Sequence, residues 1–263
     1  MNNDDDEFVL SKVPRVTIAF WIVKIFATTV GETGGDALSM TLQLGYAVST
    51  FIFLGFFLVT VTAQIVSKHY HPFFYWAVVV ATTTVGTTTS DYLDRSAGLG
   101  YTKSSAIEFA LVLAVLFAWK RATGAIQVDR ITNRKNELFY WLTILVSNTL
   151  GTALGDFTAE TGLGFEGGAL VFAALLAVVA ALHLLTPISK SILFWAAYVL
   201  TRPLGATVGD VLTKPHNEGG LNLSRIASSL ALAACMIILV ATTSLRKRGF
   251  EAESHGGGAR STA

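Results

Sequence analysis

Four stretches share one pattern: WIVKIFATTVGETGGD at residues 21–36, WAVVVATTTVGTTTSD at 76–91, WLTILVSNTLGTALGD at 141–156 and WAAYVLTRPLGATVGD at 195–210. Each opens on a tryptophan with an aromatic residue before it (Phe20, Tyr75, Tyr140, Phe194). A glycine follows ten positions later, at Gly31, Gly86, Gly151 and Gly205. An aspartate follows five positions after that, at Asp36, Asp91, Asp156 and Asp210. Four gap-free matches mark an internal repeat, and a repeat must be read before any local element.

Working outward, each copy is followed by a second apolar stretch. Three of these open on a Leu-Gly-aromatic step: Leu44-Gly45-Tyr46, Leu99-Gly100-Tyr101 and Leu163-Gly164-Phe165. The fourth departs, with Gly219-Gly220-Leu221. A helix that crosses a bilayer needs about 20 mostly apolar residues. Eight segments qualify, roughly 16–37, 43–66, 73–93, 99–119, 138–157, 165–185, 191–211 and 222–245. The expected fold is therefore all-α, a polytopic membrane protein of eight transmembrane helices arranged as four parallel two-helix repeats. Two spans per unit make the repeats parallel, so all four aspartates point to one side. The expected divisions are a disordered tail at 1–13, one transmembrane domain at 14–245 (repeats about 14–68, 69–122, 134–188 and 189–245) and a second tail at 246–263.

Composition agrees. Of 263 residues, 52% are hydrophobic and 14% charged, against about a quarter charged in ordinary soluble chains. The mean hydropathy is +0.55. A single cysteine, Cys235, excludes a disulfide scaffold, and a net charge of +1 argues against nucleic acid as a partner. The acidic start MNNDDDEF is not a signal peptide, which opens on a basic region. Thirteen Lys and Arg fall on the side of both termini (Lys12, Arg15, Lys68, Lys120, Arg121, Arg130, Arg134, Lys135, Lys190, Arg246, Lys247, Arg248, Arg260). Four fall on the other side: Arg95, Lys103, Lys214 and Arg225. By the positive-inside rule both termini are cytoplasmic, in a multi-pass protein of the inner (plasma) membrane.

The repeat, with two spans and one tryptophan per unit (Trp21, Trp76, Trp141, Trp195), resembles a bacterial membrane-protein family defined by a four-fold tandem repeat of unknown function. That resemblance covers about residues 14–245 and implies fold and location, but no activity.

From tryptophan to aspartate is roughly 22 Å of helix, so a tryptophan in the headgroup belt leaves its aspartate in the outer part of the membrane. The alternative is that each helix ends at its aspartate, which then lies in an exofacial loop. On the helical face below the aspartates come Glu32, Thr29, Thr28 and Lys24; then Thr87, Thr84, Thr83 and Val79; then Thr152, Thr149, Asn148 and Ile144; then Ala206, Pro203, Arg202 and Tyr198. Three of these rows are polar stripes that favour a shared pathway. In the fourth, Pro203 is expected to open the helix locally. Gly31/Gly35, Gly86/Ser90, Gly151/Gly155 and Gly205/Gly209 form small-xxx-small faces, read as helix packing. The even-numbered spans are more apolar and suit an outer, lipid-facing ring.

The candidate binding set is Asp36, Asp91, Asp156, Asp210, Glu32, Thr87, Asn148, Thr152, Lys24 and Arg202, with the four aspartates as metal ligands and no catalytic residue. Five acids against Lys24 and Arg202 leave the axis net negative, which suits hard cations such as Mg²⁺, Ca²⁺, Mn²⁺, Na⁺ or H⁺. Lys24 and Arg202 either pair structurally with the acids or limit passage. Glu108 is either a proton-coupling carboxylate or an interfacial one, while Asp94 and Glu160 read as loop charges, and Tyr46 and Tyr101 as interface anchors. The first function reading is a secondary transporter or exporter of a small cation. It has no cofactor and no GxxxxGK[ST] loop, and its partners are the bilayer and a small solute. A homo-oligomer stays open. The alternatives are a Mg-dependent membrane enzyme on lipid phosphates and a carrier of a small organic or anionic substrate clamped by Arg202. A purely anchoring or sensory role has no soluble domain to support it.

Overall fold

The computed structural model describes residues 12–14, 16–67, 70–126, 131 and 133–258, with side chains described up to Leu245. Arg15, Lys68, Arg130 and Arg260 of the orientation count, and the two ends at 1–11 and 259–263, lie outside the described residues. Among the described residues the chain is all-helical. The α-helices are α1 (Ile18–Asp36), α2 (Gly45–Val66), α3 (Pro72–Asp91), α4 (Tyr101–Thr123), α5 (Arg134–Thr158), α6 (Gly164–Leu185), α7 (Lys190–Thr213) and α8 (Arg225–Gly258). Helix α8 thus continues past 245, where a tail is expected.

Local chemistry sets several of these boundaries. Thr17 caps α1 by accepting the Phe20 N–H, and Asn133 caps α5 by accepting the Asn136 N–H. Pro72 sits in the first turn of α3, where its missing N–H costs nothing. A π-helical turn extends each of the first three motif helices: Ala37–Thr41, Tyr92–Ser96 and Ala159–Leu163. The glycine of each Leu-Gly-aromatic step then takes a positive φ (Gly45 74°, Gly100 71°, Gly164 65°), a conformation that strains any residue with a Cβ. That step is the hinge that returns the chain into an outer helix. Pro203 does not interrupt α7, which runs from Lys190 to Thr213 around it. The local opening expected there is therefore not seen.

The motif helices form a closed ring, with α1 against α3, α3 against α5, α5 against α7 and α7 back against α1. Glycine makes the ring tight, and it does so at equivalent positions. Gly31 abuts Thr83, Gly86 abuts Asn148, Gly151 abuts Arg202 and Pro203, and Gly205 abuts Thr28. Each repeat glycine therefore receives the residue three before the next repeat's glycine, and the fourth closes on the first. The outer helices continue the circular pattern: α2 packs on α3, α4 on α5, α6 on α7, and α8 on α1. Their other faces expose Phe51, Phe56, Val59, Phe117, Val178 and Ile238, among others. An apolar surface of this extent suits contact with lipid.

Five stretches are long and apolar enough to cross a membrane: Gly45–Val66, Tyr101–Thr123, Arg134–Leu185 (which contains α5 and α6), Lys190–Thr213 and Arg225–Leu245. Helices α1 and α3, read as spans from sequence, fall short. The physical reason is their position. Helix α1 is flanked by α3, α7 and α8, and α3 by α1, α2 and α5. Buried on nearly every side, they carry threonines such as Thr28, Thr29, Thr82, Thr83, Thr87 and Thr88 in place of aliphatic side chains.

A Cβ on Gly86 would lie 2.9 Å from the Asn148 and Thr149 backbone, which cannot turn aside. Gly86→Ala should therefore destabilise the protein by about 1–3 kcal/mol, read as a lower unfolding temperature in detergent. Gly55→Ala on lipid-facing α2, with nothing within 4 Å, should leave that temperature unchanged or raised.

Candidate functional site

From one end to the other, the ring axis is a stack of layers. At the tryptophan end, each motif aromatic meets the next repeat's tryptophan. The ring-centroid distances are 5.5 Å for Phe20–Trp76, 5.4 Å for Tyr75–Trp141, 6.2 Å for Tyr140–Trp195 and 5.7 Å for Phe194–Trp21. These separations are those of attractive aromatic pairs. The Tyr75 and Tyr140 hydroxyls share a 2.8 Å hydrogen bond in the interior. One turn further in lie Val79, Ile144, Tyr198 and Lys24, all fully buried. The Lys24 Nζ sits 4.2 Å above the centre of the Tyr198 ring, a cation–π contact, and has no hydrogen-bond partner. This end of the axis is closed.

The next layer uses its hydroxyls to join helices. Thr28 donates to the Thr201 carbonyl, Thr83 to the Ala27 carbonyl and Thr87 to the Gly31 carbonyl, each across a helix boundary. Asn148 Nδ2 donates to Thr82 Oγ1 at 3.0 Å. The polar stripes read as a pathway are thus committed to main-chain acceptors, which is how buried hydroxyls avoid a desolvation cost.

Arg202 crosses this layer toward the aspartates. Its Nη2 lies 3.0 Å from Glu32 Oε2 and 2.6 Å from Thr87 Oγ1, and it also donates to Thr152 Oγ1. Glu32, Thr87 and Thr152 each follow their repeat's glycine directly, and the fourth equivalent is Ala206. The missing polar side chain at Ala206 falls in the repeat that supplies the guanidinium. Arg202 Nε and Nη1 are buried without a partner. Arg202 and Lys24 therefore do not pair with the aspartates. Arg202 pairs with Glu32.

The four aspartates lie in the last turns of their helices, each 3% exposed or less, and not in loops. They divide into two pairs. Lys214 Nζ is 3.4 Å from Asp36 and 3.3 Å from Asp210, and Arg225 Nε is 3.4 Å from Asp36. Arg95 is 3.2 Å from both Asp91 and Asp156, and its guanidinium also donates to the Tyr46 and Tyr101 hydroxyls. Burial works against the Lys214 ammonium, but Asp210 and Asp36 outweigh it and hold its pKa above the ordinary lysine range. Glu32, Asp36 and Asp210 place one ligand oxygen each within 4.8 Å of one another, close enough for one small cation to reach all three. Asp91 and Asp156 stand apart from that cluster, on Arg95.

Among the described residues, the five acids on the axis thus meet four bases, Arg95, Arg202, Lys214 and Arg225, while Lys24 meets none of them. Three of these bases, Arg95, Lys214 and Arg225, enter the sequence reading only as charges on the side away from the termini. Two of them were legible, because Arg95 and Lys214 stand four residues after Asp91 and Asp210, a spacing that pairs charges on one helix face. Asp94 is also not a loop charge. It is buried and accepts from the Ser104 and Ser90 hydroxyls. Glu160 is exposed.

This ring of four equivalent helices, each donating the same residues to one axis, is the architecture of a tandem-repeat helical protein with membrane-like outer helices. The chain belongs to the family described as Repeat of Unknown Function (DUF347), whose pattern matches residues 19–70, 74–125, 139–189 and 193–248. No curated protein and no solved structure matches it.

Removing one member of a buried pair strands the other, at a cost of about 3–5 kcal/mol, whereas replacing both with apolar groups is near neutral. Arg202→Met should therefore sharply lower the unfolding temperature in detergent, and Arg202→Met with Glu32→Leu should recover most of the loss.

Proposed function

We propose that this is an eight-span protein of the inner membrane, four parallel two-helix repeats with both termini cytoplasmic, that carries a small cation through the aspartate end of its ring. The observation that supports this reading is the convergence of Asp36, Asp91, Asp156 and Asp210, each buried, in two pairs held by bases from the ends of helices. The acids are set in the packed ring. The bases reach in from its rim: Arg95 from a π-helical turn, Lys214 from the end of α7 and Arg225 from the start of α8. A cation that enters displaces a tethered ammonium or guanidinium, so the site's net charge changes little. Carboxylates at membrane depth are costly when uncompensated, and this exchange keeps them compensated throughout. Glu32, Asp36 and Asp210 are the ligands with the best mutual geometry. Arg202, clamped to three helices below them, is the gate: passage requires its pair with Glu32 to open.

Two measurements test this reading. In vesicles holding the purified full chain, Asp36→Asn and Asp210→Asn should each reduce flux of Mg²⁺, Mn²⁺ or Na⁺ by roughly tenfold or more, the effect of about 1.4 kcal/mol. Unchanged flux in both variants, and in Asp91→Asn and Asp156→Asn, overturns the aspartate site. For the topology, a membrane-impermeant thiol reagent applied to intact cells should label Glu218→Cys but not Arg121→Cys, both in a Cys235→Ser background. Equal labelling of the two overturns the span assignment.

A second reading has its own observation. Lys24 Nζ and Arg202 Nε and Nη1 are buried cationic donors without partners, and a small anion or organic acid would satisfy them. Flux of a carboxylate that is lost in Lys24→Met while cation flux persists would favour this carrier over the first.

A further inference from the structure

Outside the axis lies a second group of buried acids. Glu108 sits two turns into α4, 2% exposed, and neither carboxyl oxygen has a hydrogen-bond partner. Below it Val112 and Val115 pack with Val146 and Leu150 of α5 in an apolar seam. Above it is Asp94, from the π-helical turn Tyr92–Ser96. One Asp94 oxygen takes the Ser104 hydroxyl and the other takes that of Ser90 at 3.4 Å. The charges that act on Glu108 are Asp94 first, then Arg202 from α7 and Asp156 from α5, and the Ser90 hydroxyl of α3 favours its charged form. Arg95 and Glu160 act on Asp94. Arg202 is already committed to Glu32 and Arg95 to Asp91 and Asp156. Among the described residues Glu108 has no ion-pair partner, and the strongest charge acting on it is the Asp94 carboxylate.

We propose that Glu108 and Asp94 form a proton-binding pair, and that its proton is the coupling ion exchanged for the cation carried by the aspartate ring. Ser104, one turn before Glu108 on α4, donates to Asp94, so the two carboxyls share a face of α4. In a dry site with nothing to compensate a second negative charge, such a pair keeps a proton. Burial also holds Asp94 above the ordinary carboxylate range, with the Ser104 and Ser90 hydroxyls and Arg95 pulling the other way. The proton is taken from water by a Glu108 carboxylate oxygen and returned to water from the same oxygen, so no other reactant is required. Coupling to the ring runs through Asp156, which pairs with Arg95 in the ring and whose charge also acts on Glu108. A divalent cation that takes the place of the Arg95 guanidinium on Asp156 brings one more positive charge to that carboxylate, reduces the negative field on Glu108 and favours loss of its proton. By linkage, protonation of Glu108 disfavours the cation equally. Reciprocal exclusion of this kind is antiport. The coupling rests on the cation reading, whereas the proton site itself does not.

The test uses two independent signals from the purified full chain. In infrared difference spectra recorded across a pH titration, the wild type should show a protonated-carboxyl band that is missing from Glu108→Gln and shifted in its titration by Asp94→Asn. Glutamine reproduces the shape and neutrality of the protonated acid, so this variant should stay folded, with an unchanged unfolding temperature. In vesicles, Glu108→Gln should keep cation exchange at equilibrium and lose acceleration by a pH gradient. A band that survives Glu108→Gln overturns the proton site. A band lost as expected, with pH-driven cation flux unaltered, overturns the coupling. A wild type with the band and no cation flux at all leaves the proton site standing and overturns the transport reading on which the coupling rests.

Discussion

One nitrogen of Arg202, shared among Glu32, Thr87 and Thr152, ties all four motif helices at a single point of the axis. Four helices built on the same glycine spacing could pack in several rotational orders with similar contacts. The charged pair distinguishes them. The observed order sets the arginine's helix beside that of the glutamate, and leaves the small Ala206 as the fourth equivalent in the repeat that supplies the guanidinium. Buried ionic groups are best attested in this specifying role, since their desolvation offsets much of their attraction.

The ring also separates what is repeated from what is not. Tryptophan, glycine and aspartate recur in all four copies and build the walls: the aromatic closure, the tight seams and the fixed carboxylates. The residues that break the symmetry (Lys24, Glu32, Asn148, Arg202) sit on the axis, where four equivalent side chains would clash or repel. The bases that answer the aspartates stand outside the repeated pattern, on turns and helix ends. In the proposed cycle, the repeated part is the rigid frame and the unrepeated bases are the parts that exchange.

The repeat, the aspartates' shared side and the role of the glycines were legible in the sequence because they depend on spacing along one helix. Contacts between helices were less so. That Thr83 meets Gly31, or that α2 belongs against α3, follows from how the ring closes, which no single repeat encodes. Arg95 and Lys214 carried a visible signal in their four-residue spacing from an aspartate, whereas Arg225 reaches Asp36 from the far end of the chain and carried none. Asp94 looked like a loop charge because its partners, Ser90 and Ser104, lie on either side of a turn whose π-helical course folds it inward. Hydropathy alone leaves α1 and α3 short of self-sufficient spans, since it cannot tell an interior helix from one facing lipid.

The pairing of each outer helix with the following motif helix has a consequence for how such a chain enters a membrane. Helices α3, α5 and α7 emerge directly after the helix that will cover them, so each can insert as one half of a hairpin. Helix α1, among the most polar of the set, emerges without its cover. Its outer partner is α8, which follows every other helix. Until α8 has been made, the face of α1 that α8 covers has no partner there. The outer layer is therefore completed only by the last helix, and a chain cut short before α8 leaves one face of α1 uncovered while its ring neighbours α3 and α7 are present.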